Sequence, residues 1–468
     1  MDAFDTSEFR RQADRLSAWL ADYLDHPERY PVLSRVRPGE IRDALPAEAP
    51  LDPEPFERIL EDFERILVPG LTHWNHPRFL AYFPSCASAP GILGEFLAAG
   101  LSQQAMLWRT SPAATELEQV VLGWLGRAVG LPGEFEGVIY DTASVSTLHA
   151  LAAARQVAVP DVRLQGLQGA PILRVYCSAE AHSSVDKAAL LLGLGSRNVV
   201  RVPVDDELRM RVDLLEEAME EDLQAGRRPM AVVATLGTTS TTSLDPVPEV
   251  ADLCARHGAW LHVDGAYGGV AGLVPELRPL LEGCERADSM VVNPHKWLFT
   301  PMDLSAFFCR RMDVVREAFS LVPEYLRTPE SAPNLMDTGI QLGRRFRALK
   351  LWMILRSFGT RALAERIRDH VLMADEFASW VDADPEWERM APVPLSVVCF
   401  RAVGDDRLNE DLLEAVNRSG AVFLSHTKVR GRFSLRMAVG NLRTRREDVR
   451  AAWQALKEAL GRVRAYQM

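Results

Sequence analysis

Six short apolar runs, separated by helix-like stretches, constrain this chain more than any other feature. The runs occupy residues 137–140, 173–177, 230–235, 260–263, 290–292 and 306–309. Between them, residues 147–159, 183–192, 213–224 and 247–257 carry apolar side chains at helical spacing. Short strands alternating with helices join into a mostly parallel sheet with helices on both faces, an α/β architecture. Beyond this region the pattern changes. Helices over 361–381, 411–417 and 446–462 surround strands over 396–401 and 433–439, which reads as a smaller α+β unit. At the other end, Phe9, Ala13, Leu16, Leu20 and Tyr23 predict an amphipathic helix over 7–24, capped by Thr6 or Ser7. A Pro-rich connector over 38–55 is expected not to be regular helix, and a second helix follows over 56–67, before Pro69-Gly70. The expected division is 1–85 for the N-terminal helical segment, 86–365 for the large domain and 366–468 for the small C-terminal domain.

Two of the apolar runs end in functional groups. Residues 260–263 lead into Asp264, and 290–292 lead into Asn293, with Lys296 just beyond. Ligands of open α/β sheets bind outside the carboxyl ends of the strands, so both groups face one crevice. A lysine and a carboxylate placed this way suit pyridoxal phosphate: the amine forms a Schiff base and the carboxylate keeps the pyridine nitrogen protonated. A buried Asp–Lys ion pair is the plainer alternative. After the first run, Thr142, Ala143 and Ser144 open a helix whose amides and hydroxyls suit a phosphate, or serve only as a cap. His182 follows another strand end, where an imidazole either stacks on a ring or is structural.

The remaining composition narrows the partners. With Asp plus Glu at 64 against Lys plus Arg at 53, interspersed, the net charge of -11 disfavours nucleic acid and anionic membrane. Residues 1–16 lack the apolar core of a signal peptide, and no apolar run approaches the ~20 residues that span a bilayer. The six cysteines are scattered without a C-x-x-C pair, which points to buried thiols in a reducing cytoplasm, with neither a metal site nor a disulfide framework.

Taken in order along the chain, the motifs resemble one family, the group II pyridoxal-phosphate decarboxylases, and within it the aromatic-L-amino-acid decarboxylases. The resemblance rests on Phe9-Arg10-Arg11, Pro69-Gly70-Leu71-Thr72-His73-Trp74, Ala81-Tyr82-Phe83-Pro84 and the run from Ser111 to Glu118. Val233 to Thr239, the Asp264 and Lys296 segments, and Leu342-Gly343-Arg344-Arg345-Phe346-Arg347 complete it. It implies a fold-type-I homodimer with active sites at the subunit interface and the N-terminal helices wrapped around the partner. It assigns Lys296 as the Schiff-base lysine, Asp264 as partner of the pyridine nitrogen, Ala266 beneath the ring and His182 stacked above it. Thr142, Ala143, Ser144, Asn293 and His295 fall where the family holds the cofactor, and Thr239 where a hydroxyl lies near cofactor and substrate carboxylate. Tyr325 matches the proton donor to Cα, on a loop over 323–333 that reads as a lid.

The same resemblance outlines the substrate pocket: Trp74, Tyr82, Phe83, Pro84 and Ser85, with Met106 and Gly343 reaching the neighbouring subunit's site. Aromatic walls suit an aromatic amino acid, so the implied reaction is decarboxylation of tryptophan, tyrosine, phenylalanine or dihydroxyphenylalanine to the amine. An aldehyde synthase, an aminotransferase using Arg436, or a decarboxylase of a non-aromatic amino acid are the alternatives. Three departures from the family pattern stand out: Met106 for an aromatic residue, Arg109 for a small one, and Asp141 for the glycine before the phosphate cradle.

Overall fold

The computed structural model describes residues 5–321 and 332–467. Its centre is a seven-stranded sheet in the order β1-β7-β6-β5-β4-β2-β3. The strands are β1 (Glu136–Tyr140), β2 (Leu173–Ser178), β3 (Val199–Val202), β4 (Arg228–Thr235), β5 (Trp260–Asp264), β6 (Ser289–Val292) and β7 (Ser305–Cys309). Parallel pairing runs from β6 through β5, β4 and β2 to β3, while β7 is antiparallel to both β6 and β1. Helices Ala143–Ala158, Ser184–Leu191, Val212–Gln224 and Val247–His257 connect the parallel strands. Because helices cover both faces, β5, β6 and β7 are buried along their whole length, hence their unbroken apolar runs.

The α/β expectation and all six apolar runs are borne out. β3 lies outside those runs because Val-Val-Arg-Val is an edge strand with an exposed arginine. In the C-terminal part, β8 (Trp387–Arg389), β9 (Val397–Ala402), β10 (Ser425–Val429) and β11 (Arg432–Ala438) form an antiparallel sheet in the order β10-β11-β9-β8. Of these, β8 and β10 were not expected. The two residues joining β10 to β11, Arg430 and Gly431, both have positive φ (49° and 78°), the backbone of a two-residue hairpin. A 36-residue helix, Ala348–Ala383, runs between the two sheets and bends at Gly359 (φ 69°), so the helix expected from residue 361 is its second half.

In the N-terminal segment, the first helix spans Thr6–Asp25, and Asp5 rather than Thr6 or Ser7 caps it, accepting the Ser7 and Glu8 amides. The connector contains one short helical turn, Glu40–Ala44, which corrects the expectation of no regular helix there; its prolines all lie outside that turn. The second helix runs Phe56–Asp62 and loosens into a π turn over Phe63–Leu67. The first helix has no fully buried residue; Phe9, stacked on Phe96, and Leu16 stay exposed, as do Leu93, Phe96, Leu97 and Leu101 of the helix Ala89–Leu101. No helix among the described residues is long and apolar enough to cross a membrane.

Candidate active site

Strand register brings the polar groups level. Thr235 at the end of β4 pairs with Asp264 at the end of β5, and Asp264 pairs in turn with Val291 of β6. Asn293 therefore leaves β6 beside Asp264 and starts the short helical turn Pro294–Trp297 that carries Lys296. Asp264 is buried, and its Oδ1 accepts the Ala266 amide at 3.1 Å. Among the described residues no carboxylate lies within the 4.0 Å of an ion pair with Lys296, so the plain Asp–Lys bridge is not formed. Instead Lys296 Nζ lies over the Phe83 ring, 5.1 Å from its centroid. Burial, with the nearby Arg436 cation, lowers the lysine's pKa, and Asp264 opposes the shift. That favours the uncharged amine a carbonyl reagent requires.

The neighbouring groups fit a phosphorylated pyridine aldehyde. Thr142 precedes the helix Ala143–Ala158, and its side chain caps nothing in that helix. Asn293 Oδ1 is buried without a partner among the described residues, an acceptor awaiting a donor. His295 Nδ1 accepts the Leu304 amide at 3.0 Å, and burial holds its pKa down at about 3, so the neutral ring carries its proton on Nε2. His182 is likewise fixed: Nδ1 accepts the Ser184 amide at 3.1 Å, leaving Nε2–H as donor, and burial lowers its pKa against the pull of Asp264. Ala266 is buried, while Thr239 is exposed on the loop after β4. Asp141 finds no cation among the described residues: its Oδ1 accepts the Thr142 amide at 2.8 Å, taking one N–H of the cradle for itself.

The aromatic wall comes from residues 74–85. Trp74 stacks on Phe79 (4.3 Å) and Tyr82 (6.1 Å), and Phe83 stacks on Tyr267 (3.9 Å). Pro84 is buried and Ser85 partly buried in the same stretch. Backbone bonds from Leu80 to Phe423 O and from Ala438 to Leu80 O pin this wall to the small sheet. Met106 and Gly343 lie apart from it. Met106 packs with Leu107 and Met336, whereas a Cβ on Gly343 would meet Gln104 Nε2 at 3.3 Å. Tyr325 falls outside the described residues.

Arg436 belongs to the centre more firmly than its sequence context showed. On β11 it is 4 % exposed, its guanidinium sits 4.7 Å from the Phe83 centroid, and it donates to the Ser240 and Tyr82 carbonyls while Nη2 has no partner among the described residues. The available signal was a cation inside a mostly apolar strand, Phe433 to Val439, since a buried charge needs a partner or a ligand.

Known proteins resemble this chain in both sequence and fold. Residues 38–403 match the family described as the pyridoxal-dependent decarboxylase conserved domain. Aromatic-L-amino-acid decarboxylase of Sus scrofa is 43% identical, with 96% of each chain covered. Phenylacetaldehyde synthase of Arabidopsis thaliana is 39% identical, covering 97% of this chain and 96% of the relative. The crystal structure of Oryza sativa TDC with PLP and tryptamine superposes with a TM-score of 0.96 at 36% identity, covering 99% of both chains. The chain thus belongs to the pyridoxal-dependent decarboxylase family, and it is a pyridoxal-phosphate-dependent amino-acid decarboxylase.

Proposed function

We propose that the protein converts an aromatic L-amino acid, from among tryptophan, tyrosine, phenylalanine and dihydroxyphenylalanine, to its amine and carbon dioxide. The observation that carries this reading is Phe83, an aromatic wall with the Lys296 amine on its face at 5.1 Å and Trp74 and Tyr82 in the same segment. An aromatic side chain entering there gains offset stacking and burial. When bound, pyridoxal phosphate supplies the electron sink that takes up the electron pair left at Cα as carbon dioxide departs.

The chain's own groups divide the remaining work. Lys296 would hold the cofactor through its amine, and Asp264 would keep the ring nitrogen protonated. Ala266 and His182 would enclose the ring, and Thr142, Ala143, Ser144, Asn293 and His295 would hold the cofactor. Thr239 and the unpartnered Arg436 Nη2 face the substrate carboxylate. Tyr325 returns a proton to Cα, the step that yields amine. We further read the exposed apolar face of Phe9, Leu16, Leu93, Phe96, Leu97 and Leu101 as a homodimer interface, with Met106 and Gly343 contributed to the partner's pocket. Six buried, unpaired cysteines support a cytoplasmic setting.

Each aromatic substrate is to be supplied to the loaded enzyme while carbon dioxide, amine, aldehyde and peroxide are measured. Stoichiometric carbon dioxide and amine are expected from at least one, and Tyr325→Phe should divert product toward aldehyde and peroxide. Aldehyde from the unaltered enzyme would instead favour the synthase reading. Turnover of non-aromatic amino acids alone would overturn the aromatic assignment.

A further inference from the structure

One fully buried imidazole joins the two halves of the site without touching either reacting group. His370 lies on the second half of the helix Ala348–Ala383 and is 0 % exposed. Its Nδ1 accepts the indole N–H of Trp297, the residue after Lys296, at 3.0 Å. Its Nε2 donates to the backbone carbonyl of Asn441 at 3.0 Å. Asn441 Nδ2 in turn donates to the Trp74 and His76 carbonyls at 2.9 and 3.1 Å, which fixes the start of the aromatic wall. The indole of Trp297 is also the far leaf of a stack, with Tyr267 at 4.6 Å and 5°, and Phe83 beyond it at 3.9 Å.

We propose that His370 is a positioning residue of the active site, a neutral two-ended bridge that sets the Lys296 turn in register with the Trp74 segment. The proposal rests on the roles given above to Lys296 and the aromatic wall. Its physical basis is the donor–acceptor order. Trp297 Nε1 only donates and the Asn441 carbonyl only accepts, so the group between them must accept at one end and donate at the other. A neutral imidazole does both across a fixed ring width. The cationic form cannot accept from Trp297, and burial with the neighbouring Arg366 holds the ring neutral. An apolar residue of similar size would leave the indole N–H and the carbonyl unpaired in the core, and both would seek new partners. The two segments, held otherwise by different sheets, would then lose their common reference.

Four variants of the full-length holoenzyme test this. His370→Leu keeps volume and removes both bonds, whereas His370→Gln keeps one acceptor and one donor. Trp297→Phe removes the donor from the opposite side. Ile367→Ala, buried on the same helix one turn before His370, costs packing while both hydrogen bonds of the bridge keep their partners. For each, thermal midpoint, cofactor release rate on dilution (from its absorbance), and kcat and KM well below the midpoint are measured. His370→Leu and Trp297→Phe should each raise KM and cofactor release about fivefold or more, roughly the loss of one neutral hydrogen bond. His370→Gln should recover most of that, and Ile367→Ala should lower the midpoint yet leave both quantities within about twofold. If the Ile367→Ala and His370→Leu variants match in KM and release, or glutamine fares no better than leucine, the bridge is structural only and the proposal fails. Should His370→Leu not fold, Trp297→Phe against Ile367→Ala decides the question. Borohydride fixation and peptide mapping separate this from the underlying reading. Cofactor fixed at a residue other than Lys296 overturns the site assignment, whereas fixation at Lys296 with unaltered KM overturns only His370.

Discussion

Glu118 and Arg344 offer the sharpest energetic prediction. Glu118, 2 % exposed on the helix Pro112–Val129, uses one carboxylate oxygen to accept both the Ile139 amide at 2.8 Å and Arg344 Nη2 at 2.7 Å. Arg344 also donates to the Ile139 carbonyl at 2.7 Å and is nearly buried. In Glu118→Ala the guanidinium stays in the core without its counter-charge, a loss of about 3–5 kcal/mol. The orphaned Ile139 amide adds about 1–3 kcal/mol, overlapping in part with the first loss. We expect a total near 4–6 kcal/mol, large against the stability of an ordinary domain. Glu118→Leu with Arg344→Met removes both charges and leaves only the Ile139 backbone groups unpaired, so the pair should cost about 1–3 kcal/mol. Urea unfolding followed by circular dichroism gives each value, and the cycle gives their coupling. A Glu118→Ala loss below about 1 kcal/mol, or a double variant weaker than Glu118→Ala, would refute the argument that this pair is a desolvated charge pair. Function should follow, because Arg344 precedes no free loop. Its amide bonds Gln104 Oε1 at 2.6 Å and its carbonyl accepts from Ala105, locking Gly343 against residues 104–105.

Asp141→Gly should tighten cofactor binding about two- to tenfold, because it returns the Thr142 amide to the cradle and removes a carboxylate from beside the phosphate. Equilibrium titration of cofactor absorbance checks it, and an unchanged or weaker affinity would refute it. Acid should destabilise the protein through its buried histidines. Burial lowers His76, His149 and His262 to about 4 and His295 to about 3, while the unfolded chain titrates near 6.5. The folded state therefore binds fewer protons. Stability is fully present above about 6.5 and falls as pH drops toward 4, each histidine contributing up to ~1.4 kcal/mol per pH unit. Urea midpoints measured from pH 7 to 5 should decline steeply, less so in His149→Gln. A flat profile would show that these rings are hydrated.

How far the sequence could be read follows burial. Strands covered on both faces announced themselves as unbroken apolar runs, and the groups ending β5 and β6 could be placed in one crevice from order alone. Edge strands β3 and β10 could not, since Val199–Val202 is a short run broken by the exposed Arg201 and Ser425–Val429 carries a single apolar residue. The place of Lys296 at the strand ends was legible; its seat over Phe83 was not, because residues 83 and 296 meet only through tertiary packing. Arg436 and His370 show the same limit. Their partners, Ser240, Tyr82, Trp297 and Asn441, are distant in sequence, and no local pattern encodes such a contact.

The aromatic wall hangs from the small sheet at Phe423 and Ala438, while Asp264 and Lys296 stand on the large one. Heritable change in the two is thereby separated. Substitutions around Phe423, or on β11 away from Arg436, can tilt the wall and alter which side chain is admitted, with the cofactor-facing strand ends untouched. A scaffold divided this way can explore new substrates while its bond-breaking chemistry stays in place, and libraries aimed at substrate preference belong first on the small sheet.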